Sequence, residues 1–274
     1  MQLGTQQEYY YLIAGLPDIV LEQSKAPCTL AELVEELREN LQPEDFEKVQ
    51  LLLLDLDNRN LLHLLQQKET GWESLARYSR EELEMGLKEE DNLPEYMLQF
   101  AEAYRHEQPI WPGMSWENHL TRLYFDYALA QTQGFLHDWF TFEQNLRNLL
   151  VGWNSREYDI PLEGQLIGEN EITHAIKQQH SRTFGLEREV EYFDRLEHVL
   201  EQDDLFEREG DIDRLRWQVI EQCTTFHYFT VERVLGYFLQ FRLLLRWLKL
   251  DQQRGQQLIR QKIQMLEEQY LERE

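Results

Sequence analysis

The chain has 274 residues and carries 51 acidic against 27 basic side chains, a formal charge of −24. Such a field repels a nucleic-acid backbone and an anionic lipid surface, so neither is an expected partner. With 42% hydrophobic residues the composition supports a packed core, and with only 13 Gly and 7 Pro among abundant Leu, Glu, Gln and Arg the expected class is all-α.

Tyr9-Tyr10-Tyr11-Leu12-Ile13-Ala14-Gly15-Leu16-Pro17-Asp18 reads as a short buried helix or extended segment that opens the fold. Gly15, Pro17 and Asp18 interrupt it, so it is not expected to act as a signal peptide. No stretch of the chain approaches the ~18 apolar residues of a membrane span, and no direct membrane insertion is expected. Thr29-x-x-Glu32 has the spacing of a capping box and predicts a helix to about Leu41. Pro43 suits a first helical turn, and the next helix carries Phe46, Val49, Leu52, Leu53 and Leu56 on one face. Beyond Asn58-Arg59-Asn60 the apolar face continues or restarts over Leu61–Leu65. Ser79-x-x-Glu82 opens a further helix, and Pro94 starts one running to about His106.

Gln108-Pro109-Ile110-Trp111-Pro112-Gly113 is the clearest linker. Ser115 then caps a long aromatic helix through Trp153, with a kink or break at Gly134. Pro161 and Gly164 end that block. A third stretch runs through Ile172–Ile176 and Leu186–Leu205, then a helix capped by Asp211. Phe226–Lys262 follows as a long amphipathic helix, with a frayed helical tail from Gln261. Lobes over 1–108, 109–205 and 206–274 are the expected organisation.

The last long helix is unusual in its charge. It holds Arg233, Arg242, Arg246, Lys249, Arg254, Arg260 and Lys262 against Glu232 and Asp251, a local balance of +5 within a chain at −24. Arg242, Arg246 and Lys249 fall at i, i+4, i+7 and share one face. A basic face on an acidic background is a candidate docking surface for a protein. The other reading is that arginines such as Arg147, Arg242 and Arg246 pair with glutamates and brace neighbouring helices.

Catalytic signals are sparse. Glu171-x-x-His174 has the spacing found in carboxylate-bridged di-iron bundles, but no second copy accompanies it, and a solvated helical face explains it as well. His137-Asp138 and Glu197-His198 are neighbours on different helix faces. Cys28 and Cys223 are distant, lone thiols, expected reduced. No phosphate-binding loop or dinucleotide fingerprint occurs. No cofactor and no enzymatic activity are expected, with a metal-dependent helical-bundle enzyme as the rival. Trp111, Trp116 and Trp153 lie near loops or helix ends, where an interface role is open to them. The acidic runs Glu81-Glu82, Glu89-Glu90-Asp91 and Asp203-Asp204 read as solvated faces.

One internal echo links Glu143-Gln144-Asn145-Leu146-Arg147-Asn148-Leu149-Leu150 to Leu239-Gln240-Phe241-Arg242-Leu243-Leu244-Leu245-Arg246. Phe229-Thr230-Val231-Glu232-Arg233-Val234-Leu235-Gly236-Tyr237-Phe238-Leu239, followed by Arg242, Leu245, Lys249, Gly255 and Leu258-Ile259-Arg260, resembles the C-terminal signature of the V/A-type ATPase C-subunit family. Its eukaryotic counterpart is the d-subunit. Phe142–Leu150 and Ile160-Pro161-Leu162-Glu163-Gly164-Gln165-Leu166 resemble two upstream elements of that family in the same order. The N-terminal Tyr9–Asp18 segment resembles, in addition, an uncharacterised bacterial family that accompanies V-type ATPase proteins.

The chain departs from that family's pattern at Gln240 and Phe241, at Phe229 and after Tyr11. The resemblance implies pseudo-repeated helical lobes and a non-enzymatic coupling role. A protein of this kind seats the central stalk, subunits D and F, on the membrane proteolipid rotor ring and carries torque for ion transport. It would be cytoplasmic, peripheral on the inner membrane through the complex. Asn145, Arg147, Arg242, Arg246 and Lys249 are the implied partner-interface candidates. A generic helical adaptor unrelated to ATPases shares the fold expectation and differs in partner.

Overall fold

Side-chain caps set where five of the helices start. In the computed structural model, residues 8–179 and 181–271 are described, with side chains as far as Gln252, and they form eleven helices and no strand. Thr29 and Glu32 bond reciprocally, Glu32 Oε2 accepting the Thr29 amide at 2.7 Å and Thr29 Oγ1 accepting the Glu32 amide at 3.2 Å. They open α2 (Leu30–Asn40). Ser79 and Glu82 do the same for α4 (Arg80–Glu89), and Pro43 occupies the first turn of α3 (Pro43–Leu65). Pro94 precedes α5 (Glu95–Arg105), and Ser115 caps α6 (Trp116–Gln131).

Gly134 is a break rather than a kink. Its backbone (φ 56, ψ −136) lies where L side chains are strained, and it turns the chain from α6 into α7 (Phe135–Glu157). Asn170 caps α8 (Glu171–Gln178), and α9 spans Phe193–Leu200, shorter than the Leu186–Leu205 stretch expected. The next helix, α10 (Leu205–Thr224), begins well before Asp211. Its cap is Asp204, whose carboxylate accepts from the Phe206 and Glu207 amides, and Asp211 lies inside the helix. The first helix, α1 (Tyr10–Gly15), and the last, α11 (Val231–Leu271), complete the set.

The chain divides into two compact units, Leu41–Glu197 and the pairing of Met1–Asn40 with His198–Glu274. In the first, α3 packs on α4, α5 and α6, and a run of neighbours continues through α5, α6, α7 and α8. Asn58-Arg59-Asn60 does not interrupt α3, because its polar side chains fasten the following loop. Buried Asn60 accepts from the Glu73 amide at 2.8 Å and donates to the Glu73 carbonyl at 3.0 Å. Buried Asp57 accepts from the amides of Arg77 and Tyr78 at 3.1 and 3.0 Å. The Tyr96 hydroxyl donates to Asn58 at 2.7 Å.

The Gln108–Gly113 stretch joins α5 to α6 inside this unit, and it meets the Pro161–Gly164 turn. A Cβ on Gly164 (φ +69) would lie 2.2 Å from the Gly113 carbonyl oxygen, so glycine is required there. Asn148 on α7 holds the segment that follows, donating to the Ile167 carbonyl at 2.8 Å and accepting its amide at 3.0 Å, all buried. In the second unit α10 and α11 form the principal helix pair. Two glycines let them approach: a Cβ on Gly210 would meet the Trp247 ring at 2.6 Å, and one on Gly236 would meet Thr224 at 2.7 Å.

Candidate partner-docking surface

Exposed aromatic side chains gather where α10 turns into α11. Thr224 and Thr225 bond back to the Ile220 and Glu221 carbonyls (2.8 and 2.7 Å), and the His227 amide reaches the Thr224 carbonyl at 3.0 Å. These bonds end α10. Phe226–Thr230 is therefore a loop, and the long helix starts at Val231 rather than Phe226. The loop offers little backing for its aromatic side chains: Phe226 is 84% exposed, Tyr228 65% and Phe229 41%.

The N-terminal segment joins this loop. The Tyr9 amide donates to the Phe229 carbonyl at 2.6 Å, and the Tyr10 ring stands 4.3 Å from the Phe229 ring. Tyr9 and Leu12 are buried, but Tyr10 and Tyr11 face outward, Tyr11 almost completely. The expectation of a buried segment holds for some positions only: three consecutive tyrosines entering a helical turn cannot share one face. Tyr10, Phe229 and Tyr228 are linked by ring contacts, and with their exposed sequence neighbours Tyr11 and Phe226 they make an exposed aromatic cluster of the kind that marks interaction surfaces.

A cleft of about 130 Å³ opens in the same unit. Ile13, Leu16 and Ile19 line it, together with Trp217 and Glu221 of α10 and Arg233, Tyr237 and Gln240 of α11. The Trp217 indole donates to Glu221 at 2.9 Å. Tyr237 is buried and its hydroxyl has no hydrogen-bond partner among the described residues. Burial, and then the neighbouring Cys28, Glu36 and Asp18, push its pKa up to about 12.

The five side chains expected at an interface sit in two groups. Asn145 and Arg147 are half-buried on α7. Asn145 accepts from the Asn170 side chain at 2.9 Å, and Arg147 donates to Asn118 at 2.6 Å. Desolvation lowers the pKa of Arg147, and its Nε has no partner among the described residues. Arg242, Arg246 and Lys249 lie on α11 in the other unit. Arg242 is half-buried and Lys249 exposed. Arg246 binds Asp213 and Glu209 of α10, and Arg216 also reaches Asp213, at 3.1 Å. Asp213 is fully buried, and desolvation raises its pKa although two guanidiniums oppose it. Arg246 thus braces the helix pair. The side chains of Arg254, Gly255, Leu258, Ile259, Arg260 and Lys262 lie outside the described residues.

Glu171 and His174 are both exposed on α8, His174 lying 3.6 Å from Glu169, and no group of three His, Cys, Asp or Glu gathers around a point among the described residues. Trp153 is buried beneath Arg182, whereas Trp111 and Trp116 are half-buried, with Arg122 4.0 Å over the Trp111 ring. Cys28 and Cys223 are half-buried thiols outside any disulfide. No described helix is long and apolar enough to cross a membrane.

Phe226–Phe229 continues the helical spacing of α11, which hides the aromatic cluster from a periodicity argument. The adjacent Thr224-Thr225 pair, which can bond back and end a helix, is the one local signal of the loop.

A family model described as a protein of unknown function, DUF2764, matches residues 6–270. No curated protein and no solved structure matches the chain. The family match corrects the assignment to the V/A-type ATPase C-subunit family, because it accounts for nearly the whole chain. Gly236, one of the residues behind that likeness, also has local structural work, since it permits close packing of α10 and α11. The chain belongs to the DUF2764 family of proteins of unknown function.

Proposed function

We propose that the chain is a non-enzymatic docking and coupling protein of a bacterial V-type ATPase, binding the central stalk subunits D and F and linking them to the membrane proteolipid ring. The observation that carries the docking reading is the exposed aromatic cluster of Tyr10, Tyr11, Phe226, Tyr228 and Phe229. Aromatic side chains bring large apolar area with few rotatable bonds, so their burial under a partner gives much contact for little lost freedom. The choice of partner rests on Tyr9–Asp18, the segment that resembles a family accompanying V-type ATPase proteins. Two of its tyrosines belong to the cluster.

Repeated helical lobes are part of the same proposal. The echoing segments lie in α7 and α11, one in each compact unit, which suits a protein that grips two bodies. Its place at the inner membrane would then come from the complex rather than from the chain itself.

Co-expression with the D–F pair followed by size exclusion tests the reading. A joint peak is expected for the wild type. Phe226→Ala with Tyr228→Ala should weaken it roughly a hundredfold, the loss of about 3 kcal/mol of aromatic burial. Absence of any complex at micromolar concentration refutes the ATPase assignment. A generic adaptor would lose a different partner on the same double substitution.

A further inference from the structure

Three aromatic rings of this fold are closely covered by an arginine of the chain itself. Arg122 stands 4.0 Å over Trp111, Arg156 4.0 Å over Phe184 and Arg182 4.3 Å over Trp153. The rings of Tyr10, Tyr11, Phe226, Tyr228 and Phe229 carry no such cover among the described residues. At about 200 Å² for a whole aromatic side chain, their exposures leave roughly 650 Å² open. That is somewhat less than the ~800 Å² each partner gives to a standard interface. The cluster thus has the size of an interface centre, where tyrosine and arginine concentrate and the strongest residues of the two sides meet.

The charges around the cluster restrict its occupant. The exposed Glu8 carboxylate bonds the Tyr10 hydroxyl. Glu232 closes the loop, accepting from the Thr230 hydroxyl with His227 at 3.6 Å, and the exposed Glu221 lies about one turn before it. Arg233 follows Glu232 and leaves this surround acidic on balance. A second copy of the chain would set these carboxylates against their own kind, and an anionic lipid surface would meet the same repulsion.

We propose that the aromatic cluster receives an arginine-bearing basic segment of the docking partner, its guanidinium groups stacked on the exposed rings with their N–H edges toward Glu8, Glu221 and Glu232. Arginine fits better than lysine because its planar, weakly hydrated head lies flat on a ring and keeps its donors free for a carboxylate. The proposal rests on the docking reading of the cluster, and the recognition chemistry can be tested without the stalk proteins.

The probe is a short fluorescein-labelled leucine–alanine helix bearing arginines, with versions carrying lysine, citrulline or glutamate in their place. Each is titrated into the full-length protein and followed by anisotropy. The arginine peptide should bind tightest, lysine about fivefold more weakly, and citrulline and glutamate at least roughly tenfold more weakly. Phe226→Ala with Tyr228→Ala should erase the preference for arginine over lysine while leaving the Tm unchanged, since both rings are exposed. Glu8→Gln with Glu221→Gln, both at exposed positions, should weaken both cationic peptides about threefold and flatten the salt dependence.

No saturable binding, equal binding of arginine and lysine, a preference for glutamate, or an arginine preference that survives loss of the two rings overturns the proposal. A dimer in sedimentation, or binding to phosphatidylglycerol vesicles, that disappears in the ring variant gives the cluster another occupant and overturns it too. Failure to bind the D–F pair alongside an arginine-selective titration refutes the ATPase assignment alone. A D–F complex alongside an unselective titration refutes the arginine site alone.

Discussion

Arg246 lets a bracing role be separated from a partner-contact role. Its guanidinium binds Asp213 and Glu209, and Asp213 is fully buried, with Arg216 as its second cationic partner. Arg246→Ala leaves that carboxylate half-compensated. Removing one partner of a buried pair costs about 3–5 kcal/mol when nothing replaces it. Two features reduce the figure here: the Arg246 side chain is 41% exposed, so water reaches the gap, and Arg216 stays at 3.1 Å.

The expected loss is therefore about 2 kcal/mol, a fall in Tm of roughly 4–8 °C. Thermal and urea denaturation of Arg246→Ala measure it, with Lys249→Ala as an exposed control expected within about 0.5 kcal/mol of wild type. Combining Arg246→Met with Asp213→Leu should recover part of the loss, because the stranded charge is removed with its partner. An Arg246→Ala protein as stable as wild type refutes the bracing argument and returns the residue to the interface.

Asp57 should give an inverted pH response. Burial raises its pKa from 3.8 to about 6, outweighing the Arg77 and Tyr78 amides that favour the charged form. The folded state thus holds the proton more tightly than the unfolded chain, so this group's contribution to stability rises as pH falls from about 6 to about 4, by at most roughly 3 kcal/mol. Urea midpoints for wild type and Asp57→Asn across that window check it, the variant lacking the rise. Asn148→Ala strands the buried Ile167 amide and carbonyl and should cost about 3 kcal/mol by denaturant titration. Gly164→Ala drives a Cβ into the Gly113 carbonyl at a positive φ and should cost roughly 3 kcal/mol or more. Gly134→Ala, with nothing within 4 Å, should bear only the backbone strain of its positive-φ conformation, about 1–3 kcal/mol, when melting temperatures are compared.

Helix starts were legible where the cap is local. Thr29 with Glu32, Ser79 with Glu82, Pro43 and Ser115 each act within a turn of the helix they open, so spacing alone reveals them. Asp211 misled because it too is an acid ahead of an apolar run, and Asp204 is the one whose backbone is extended. The loop at Phe226 misled for a similar reason. Helical periodicity records which residues are apolar, and an aromatic in a loop is as apolar as one in a core.

The interface candidates show the same boundary from the other side. A sequence marks an arginine on a helix but not the acid it will face. Asp213 and Arg246 are separated by 33 positions, and Arg147 meets Asn118 across 29. A charge stripe therefore supports bracing and docking equally until the opposing helix is placed. What distinguishes them is the state of the partner side: a buried carboxylate already fills the grip of Arg246, whereas the Phe226 ring stands in solvent. Unfinished contacts of that kind, rather than charged residues as such, point to where a second molecule belongs.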